Sequence, residues 1–276
     1  MNHPIIIHIP LVSADWLYKN FDAKNLIILN ATIQKITSTS DDNSLSGQIP
    51  NSRFFDLKHK FSDTSATFPN TIPSAKQFES EAQSLGINSD SIIVIYDEKG
   101  IYSSPRAWWL FKTMGFHNVA VLDGGLPEWK SKEYPVSKSQ LNIFTKGNFK
   151  ANYNSELIHF FEDMKKVVEE HQDCIVDARS AERFNGAVTE PRAGLRSGHI
   201  PNSFNLPYAD LLDGNTMKPL PELKLFFKGF RNKKLVFTCG SGITACILAL
   251  AADLCGYRNA SVYDGSWTEW GALTKG

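Results

Sequence analysis

One thiol stands at the most chemically suggestive point of this chain. The apolar run Leu235-Val236-Phe237-Thr238 ends at Cys239-Gly240-Ser241-Gly242-Ile243-Thr244, and a helix-forming stretch follows. A cysteine at a strand end, on a glycine-rich bend and ahead of a helix N-terminus, is favoured as a thiolate. Successive backbone N–H groups form a concave anion site there, and the helix dipole adds partial positive charge. The thiolate, not the thiol, is the nucleophile. The competing account is a buried cysteine serving as a small hydrophobe, and the glycines flanking Ser241 favour the nucleophile. A second group suits an anionic substrate: Arg179, Arg183, Arg192 and Arg196 all fall between Asp177 and His199. The planar guanidinium fork recognises carboxylates and other oxyanions. Taken singly, each arginine is better explained by solvation or by pairing with Asp177, Glu182 or Glu190. As a cluster beside a candidate thiolate they point to a bound small anion, with Arg183 and Arg192 as the substrate-binding pair. Arg179 and Arg196 lie closer to the framework motifs and are candidates for structural roles.

The elements that must position these groups occur twice, in the same order. Gly47-Gln48-Ile49-Pro50-Asn51-Ser52 answers to Gly198-His199-Ile200-Pro201-Asn202-Ser203. Leu26–Ala31 answers to Asp173–Ala178, and Ile92–Asp97 to Lys234–Cys239. Leu122-Asp123-Gly124-Gly125 with Glu128-Trp129 answers to Tyr263-Asp264-Gly265-Ser266 with Glu269-Trp270. This is a duplicated domain and not a short-period solenoid. Strands are expected at Cys174–Ala178, Leu235–Thr238 and Ser261–Tyr263, and helices at Thr244–Leu254 and Pro105–Met114. Such alternation implies a parallel sheet with helices on both faces in each half. The division expected is a first domain over 1–137, a connector over 138–154 rich in Ser, Asn and Lys, and a second domain over 155–276.

The duplication makes the chain its own control. Asp97 stands where the second half has Cys239, and Glu98-Lys99-Gly100 lacks the two-glycine bend. The first-half counterpart of the arginine loop holds no arginine, only Lys35 against Asp41 and Asp42. In open parallel sheets, ligands bind outside the carboxyl ends of the strands, so Cys239 and the arginines are expected at one end of the second sheet.

Composition narrows the classes. Lys+Arg and Asp+Glu each number 29, so the basic excess of a nucleic-acid binder is missing. Met1–Pro10 has no basic flank and two prolines, unlike a secretory signal. The most apolar stretch, Ile243–Ala252, is too short to span a bilayer. Cys174, Cys239, Cys246 and Cys255 show no CxxC spacing, which suits a reducing, cytoplasmic setting.

These motifs resemble the rhodanese family, in particular its tandem-domain sulfurtransferases, over nearly the whole chain. The resemblance rests on the strand–cysteine loop–helix, the two Asp-Gly-Gly/Ser…Glu-Trp segments, the paired Ile-Pro-Asn-Ser motifs and Ser104-Pro105-Arg106-Ala107-Trp108-Trp109. It implies two similar α/β domains with the active cysteine in the second. Thiosulfate-using members carry basic residues directly after the cysteine. Members using 3-mercaptopyruvate carry Cys-Gly-Ser-Gly-[Val/Ile]-Thr, as at Cys239–Thr244, and the family's carboxylate-binding arginines fall on Arg183 and Arg192. The implied activity is sulfur transfer from 3-mercaptopyruvate through a persulfide on Cys239 to a thiol acceptor such as thioredoxin, or to cyanide. Thiosulfate is the alternative donor, and neither metal nor organic cofactor is called for. In many members the loop serine pairs with a histidine and an aspartate that the family places in the first domain. Here Asn70 and Lys58 hold those positions, with His59 out of register. Either Ser241 acts without that relay or the donor preference differs.

Two other classes compete. A cysteine phosphatase of related fold needs an arginine closing the loop where this chain has Ala245. A sulfur carrier would present the cysteine to a partner without multiple turnover. Cys174, Cys246 and Cys255 suit packing, and the spacing of His171 and Cys174 lacks the second pair that zinc needs. Trp108, Trp109, Trp129 and Trp270 read as core aromatics, and His199 as a loop hydrogen-bonding residue. Trp267 is left open between core and pocket.

Overall fold

The computed structural model describes residues 6–7, 9–33, 47–138, 143–171, 173–230 and 233–275. By its contacts the chain divides into two compact units. The first runs up to Phe61 and resumes over Pro73–Tyr153, and the second comprises Ser62–Ile72 and the chain from Asn154 onward.

The apolar runs become the middle strands. In the first unit, β1 (Leu11–Val12), β2 (Leu26–Asn30), β3 (Arg53–Phe54), β4 (Ile92–Tyr96) and β5 (Val119–Leu122) form one parallel sheet in the order β1-β5-β4-β2-β3. Every residue of β4 is buried, as expected of a strand covered on both faces. In the second unit, β6 (Ile158–His159), β7 (Cys174–Asp177), β8 (Phe204–Asn205), a short antiparallel ribbon of β9 (Leu212–Asp213) and β10 (Thr216–Met217), β11 (Leu235–Thr238) and β12 (Ala260–Tyr263) follow. Their parallel sheet has the order β6-β12-β11-β7-β8. Exchanging β1 for β6, β2 for β7, β3 for β8, β4 for β11 and β5 for β12 turns one order into the other, so the repeat seen in the residues is a repeat of topology.

Expected and observed elements differ only at their ends. The helix after the cysteine loop is Ala245–Leu254, and its counterpart is Ser104–Thr113. Pro105 sits in the first turn of the latter, where a missing N–H costs nothing. The paired Ile-Pro-Asn-Ser motifs are matching turns. Asn51 and Asn202 take φ of 59° and 61°, while Ser52 Oγ donates to Ile49 O at 2.7 Å and Ser203 Oγ to Ile200 O at 2.6 Å. A proline followed by a left-handed asparagine is the arrangement of a type II turn.

Trp108, Trp109, Trp129 and Trp270 are buried, as expected, and Trp267 joins them in the core of the second unit. Part of the stretch expected as a connector is anchored to the first unit. The amides of Gly147 and Phe149 donate to Gln83 O and Ile87 O, and the buried Phe149 ring packs against Phe78, Phe111 and Phe116. Lys35, Asp41 and Asp42 lie outside the described residues. Among the described residues no helix is long and apolar enough to cross a membrane.

Candidate active site

β11 lies mid-sheet, and its register against β7 pairs Thr238 with Asp177. The next residues on these strands, Cys239 and Ala178, therefore leave the same end of the sheet, so the cysteine bend and the arginine loop begin side by side. Cys239 is 1 % exposed. Its loop is fastened from behind by Ser266, whose Oγ accepts the amides of Cys239 and Gly242, each at 3.1 Å. The same hydroxyl lies 2.9 Å from Tyr263 O and 3.9 Å from Cys239 Sγ. Ser266 adopts φ of 51°, a left-handed conformation costing a non-glycine residue on the order of 1 kcal/mol. This corrects one detail of the expected anion site, because the Gly242 amide faces Ser266 and is not open to a ligand. The amides of Gly240, Ser241, Ile243 and Thr244 have no acceptor among the described residues.

The four arginines separate by partner. Arg179 is fully buried, doubly bonded to Asp177, bonded to Glu190 at 3.0 Å and to Gly198 O at 2.8 Å. Arg196 donates to Thr274 O and Thr274 Oγ1. The two guanidinium groups lie over the Trp267 ring at 4.8 and 4.5 Å, which places that tryptophan in the framework. Arg183 and Arg192 instead converge on Gly240. A Cβ on Gly240 would stand 3.0 Å from Arg183 Nη2. Arg183 also pairs with Glu190, Nη2 to Oε2 at 2.5 Å, while its Nη1 has no partner among the described residues. Burial works against this guanidinium charge, but the Glu190 carboxylate, with Cys239 and Asp177 beyond it, holds its pKa above the ordinary value. Arg192 Nη1 donates to Thr268 Oγ1 at 3.1 Å, and Thr268 in turn holds Gly240 O.

Ser241 is held from a distant part of the chain. Asn70 Nδ2 donates to Ser241 Oγ at 3.0 Å and to Ser241 O at 3.3 Å, from a backbone at φ of 63°. Asp264 Oδ2 fixes that segment by accepting the Ile72 amide at 2.8 Å. Lys58 is exposed, and His59 pairs with Asp56 at 3.0 Å. His199 stacks on Phe184, with Nδ1 2.9 Å from Phe184 O. Burial pushes the Cys174 and Cys255 thiols up from their ordinary pKa, opposite to what a nucleophile needs.

The first unit shows what the same frame does without a thiol. Asp97 Oδ2 accepts the amides of Tyr102, Ser103 and Ser104 at 2.9, 3.0 and 3.0 Å and the Ser104 hydroxyl at 2.7 Å. A chain carboxylate fills the amide cradle there. Leu126 N donates to Asp97 O at 3.0 Å as Trp267 N donates to Cys239 O at 2.9 Å, so the two bends are equivalent in position.

Ser266 and Thr268 are absent from the residues picked out for chemistry on sequence grounds. Their signal was present in the duplication, because they stand opposite Gly125 and Pro127 within otherwise matching segments.

Comparison with known proteins places the fold in a family. The rhodanese-like domain family matches residues 13–132 and 161–273. The 3-mercaptopyruvate sulfurtransferase of Escherichia coli K12 is 35% identical over 268 residues, covering 95% of this chain and 94% of its own. That of Mus musculus is 37% identical over 272 residues, covering 94% and 91%. The crystal structure of the 3-mercaptopyruvate sulfotransferase SseA from Escherichia coli superposes with a TM-score of 0.82 at 32% identity, covering 94% of this chain and 99% of that one.

Proposed function

This chain belongs to the rhodanese family, and from that premise we propose that it is a 3-mercaptopyruvate sulfurtransferase whose nucleophile is Cys239. The observation that carries the proposal is the convergence of Arg183 and Arg192 on Gly240, the residue next to the nucleophile. One guanidinium against Gly240 and a second linked to it through Thr268 suit a donor with a carboxylate on one end and a transferable sulfur on the other.

The Cys239 thiolate attacks the donor sulfur. The Sγ–S bond forms as the bond from sulfur to carbon 3 breaks, and its electron pair passes into the enolate of pyruvate. That enolate takes up the proton released from the donor S–H, and pyruvate departs from a Cys239 persulfide. The outer sulfur then passes to an acceptor thiol or to cyanide, returning the Cys239 thiolate. Dividing the transfer between two steps is nucleophilic catalysis with ping-pong kinetics. The unengaged amides of Gly240, Ser241, Ile243 and Thr244 are the donors for the anionic sulfur. Arg183 and Arg192 hold the carboxylate and stabilise charge developing on the enolate. Asn70 cannot accept a proton, so Ser241 is a hydrogen-bond donor here and not a link in a relay. Four free cysteines suit a reducing cytoplasm with thiol acceptors such as thioredoxin.

Incubation with 3-mercaptopyruvate is expected to add one sulfur atom to the intact protein, located at Cys239 and lost in Cys239→Ser. Initial rates are expected to favour 3-mercaptopyruvate over thiosulfate. A faster rate with thiosulfate would reassign the donor, and the absence of any sulfur adduct would sink the proposal.

A further inference from the structure

Thr268 is 7 % exposed and grips one peptide group with both of its donors. Its amide reaches Gly240 O at 2.9 Å and its hydroxyl donates to the same oxygen at 2.5 Å. The hydroxyl oxygen simultaneously accepts Arg192 Nη1 at 3.1 Å. The single hydroxyl proton is committed to Gly240 O, so the chain runs in one direction, from guanidinium to hydroxyl to carbonyl. Hydrogen bonds aligned in this way polarise one another. The carbonyl of Gly240 and the amide of Ser241 belong to one planar trans peptide, so fixing the oxygen toward Thr268 turns the Ser241 N–H the opposite way. Polarising that carbonyl strengthens the same N–H as a donor.

The first unit again supplies the control. Pro127 occupies the position of Thr268 in the helix Gly125–Ser131, and proline has neither an amide proton nor a hydroxyl. The grip is therefore found in the half that has the nucleophile and is chemically impossible in the half that lacks it. A hydroxyl needed only to start a helix would not require Arg192 at one side and the cysteine loop at the other.

We infer that Thr268 is a positioning residue that registers the donor-binding Arg192 against the Gly240–Ser241 peptide of the cysteine loop, and thereby favours donors carrying a carboxylate. This rests on the sulfur-transfer reading above. The consequence is energetic coupling between Arg192 and Thr268, which a purely local role for the threonine would not produce.

The test is initial-rate kinetics with 3-mercaptopyruvate on the full chain, comparing wild type, Thr268→Val, Thr268→Ser, Arg192→Ala and the Arg192→Ala/Thr268→Val double variant. Loss of a hydrogen bond to a charged group predicts that Thr268→Val lowers kcat/KM by about ten- to a hundredfold, with raised KM carrying most of the loss. Thr268→Ser, which keeps the hydroxyl, is expected to recover all but a small factor. In the Arg192→Ala background, Thr268→Val is expected to cost much less than it does alone. Multiplicative effects of the two substitutions, wild-type kinetics in Thr268→Val, or no recovery in Thr268→Ser would each overturn the inference. Thr268→Ala replaces the valine variant if that one fails to fold. If wild type gains no sulfur from 3-mercaptopyruvate, the sulfur-transfer reading falls; if it does and the coupling is missing, only the bridge falls.

Discussion

The two units of this protein end their middle strands in the same bend and use it oppositely. In the first, Asp97 turns its own carboxylate into the bend and meets four amides and a hydroxyl. In the second, Cys239 offers a sulfur in the equivalent place, and loop amides remain without acceptors among the described residues. A frame that satisfies an internal anion becomes a reactive one when the anion is a nucleophile and a neighbouring loop brings cations. The supporting residues change in step. Gly125 gives way to Ser266 and Pro127 to Thr268, and arginines border the cysteine bend. The backbone at Gly125 and Ser266 is nearly the same, with φ of 53° and 51°. A Cβ on Gly125 would stand 2.4 Å from Asp97 O and 2.5 Å from Gly100 O. The silent bend is closed against a side chain there, and the cysteine bend has opened to receive one.

That contrast can be broken most severely at Arg179. It is buried with Asp177 and Glu190, and removing one partner from such a network costs about 3–5 kcal/mol. Arg179→Ala is expected to lower the thermal midpoint of the second unit sharply. Arg183→Ala should leave that midpoint almost unmoved, because Glu190 keeps Arg179, while kcat/KM for 3-mercaptopyruvate drops about ten- to a hundredfold. Equal melting losses in the two variants would erase the division between framework and substrate arginines.

Asp97→Ala probes the other side. It leaves several buried amides without an acceptor, a loss of at least about 2 kcal/mol from the first unit in thermal or urea unfolding. Sulfur loading of Cys239 is expected to persist. Abolished loading in a protein that still melts cooperatively would show that the silent bend takes part in chemistry.

The finest probe is Asn70→His. An amide does not titrate near neutrality, whereas an imidazole beside Ser241 introduces a group of pKa near about 6.5. The variant is expected to add one limb to the pH profile of kcat/KM between pH 6 and 7, over and above whatever the natural chain shows there. An unchanged profile would place position 70 outside the reacting network.

Much of this was legible in the residues, for identifiable reasons. The strands of both middle positions are apolar runs cut by polar bends, so Ile92–Tyr96 and Leu235–Thr238 stand out by contrast alone. The cysteine bend carries its own glycines, and the duplication exposed Asp97 as its unreactive twin. The division of labour among the arginines was harder. Arg179 and Arg183 lie four residues apart and share Glu190, and only the fold shows one buried on Trp267 and the other against Gly240. Thr268 and Ser266 escaped because a threonine or serine at a helix start is ordinarily a local residue. Their targets, the backbone atoms of Cys239, Gly240 and Gly242, have no side-chain signature in a sequence. The same holds for the Asn70 contact, which joins positions 171 residues apart.

The bare α-carbon at Gly240 has a consequence for donor choice. Any side chain there would begin 3.0 Å from Arg183 Nη2, a guanidinium already moored to Glu190. A side chain at residue 240 therefore requires the Arg183 guanidinium to give by a few tenths of an ångström against its Glu190 mooring, so the donor-binding fork is the first group to feel a change at that position.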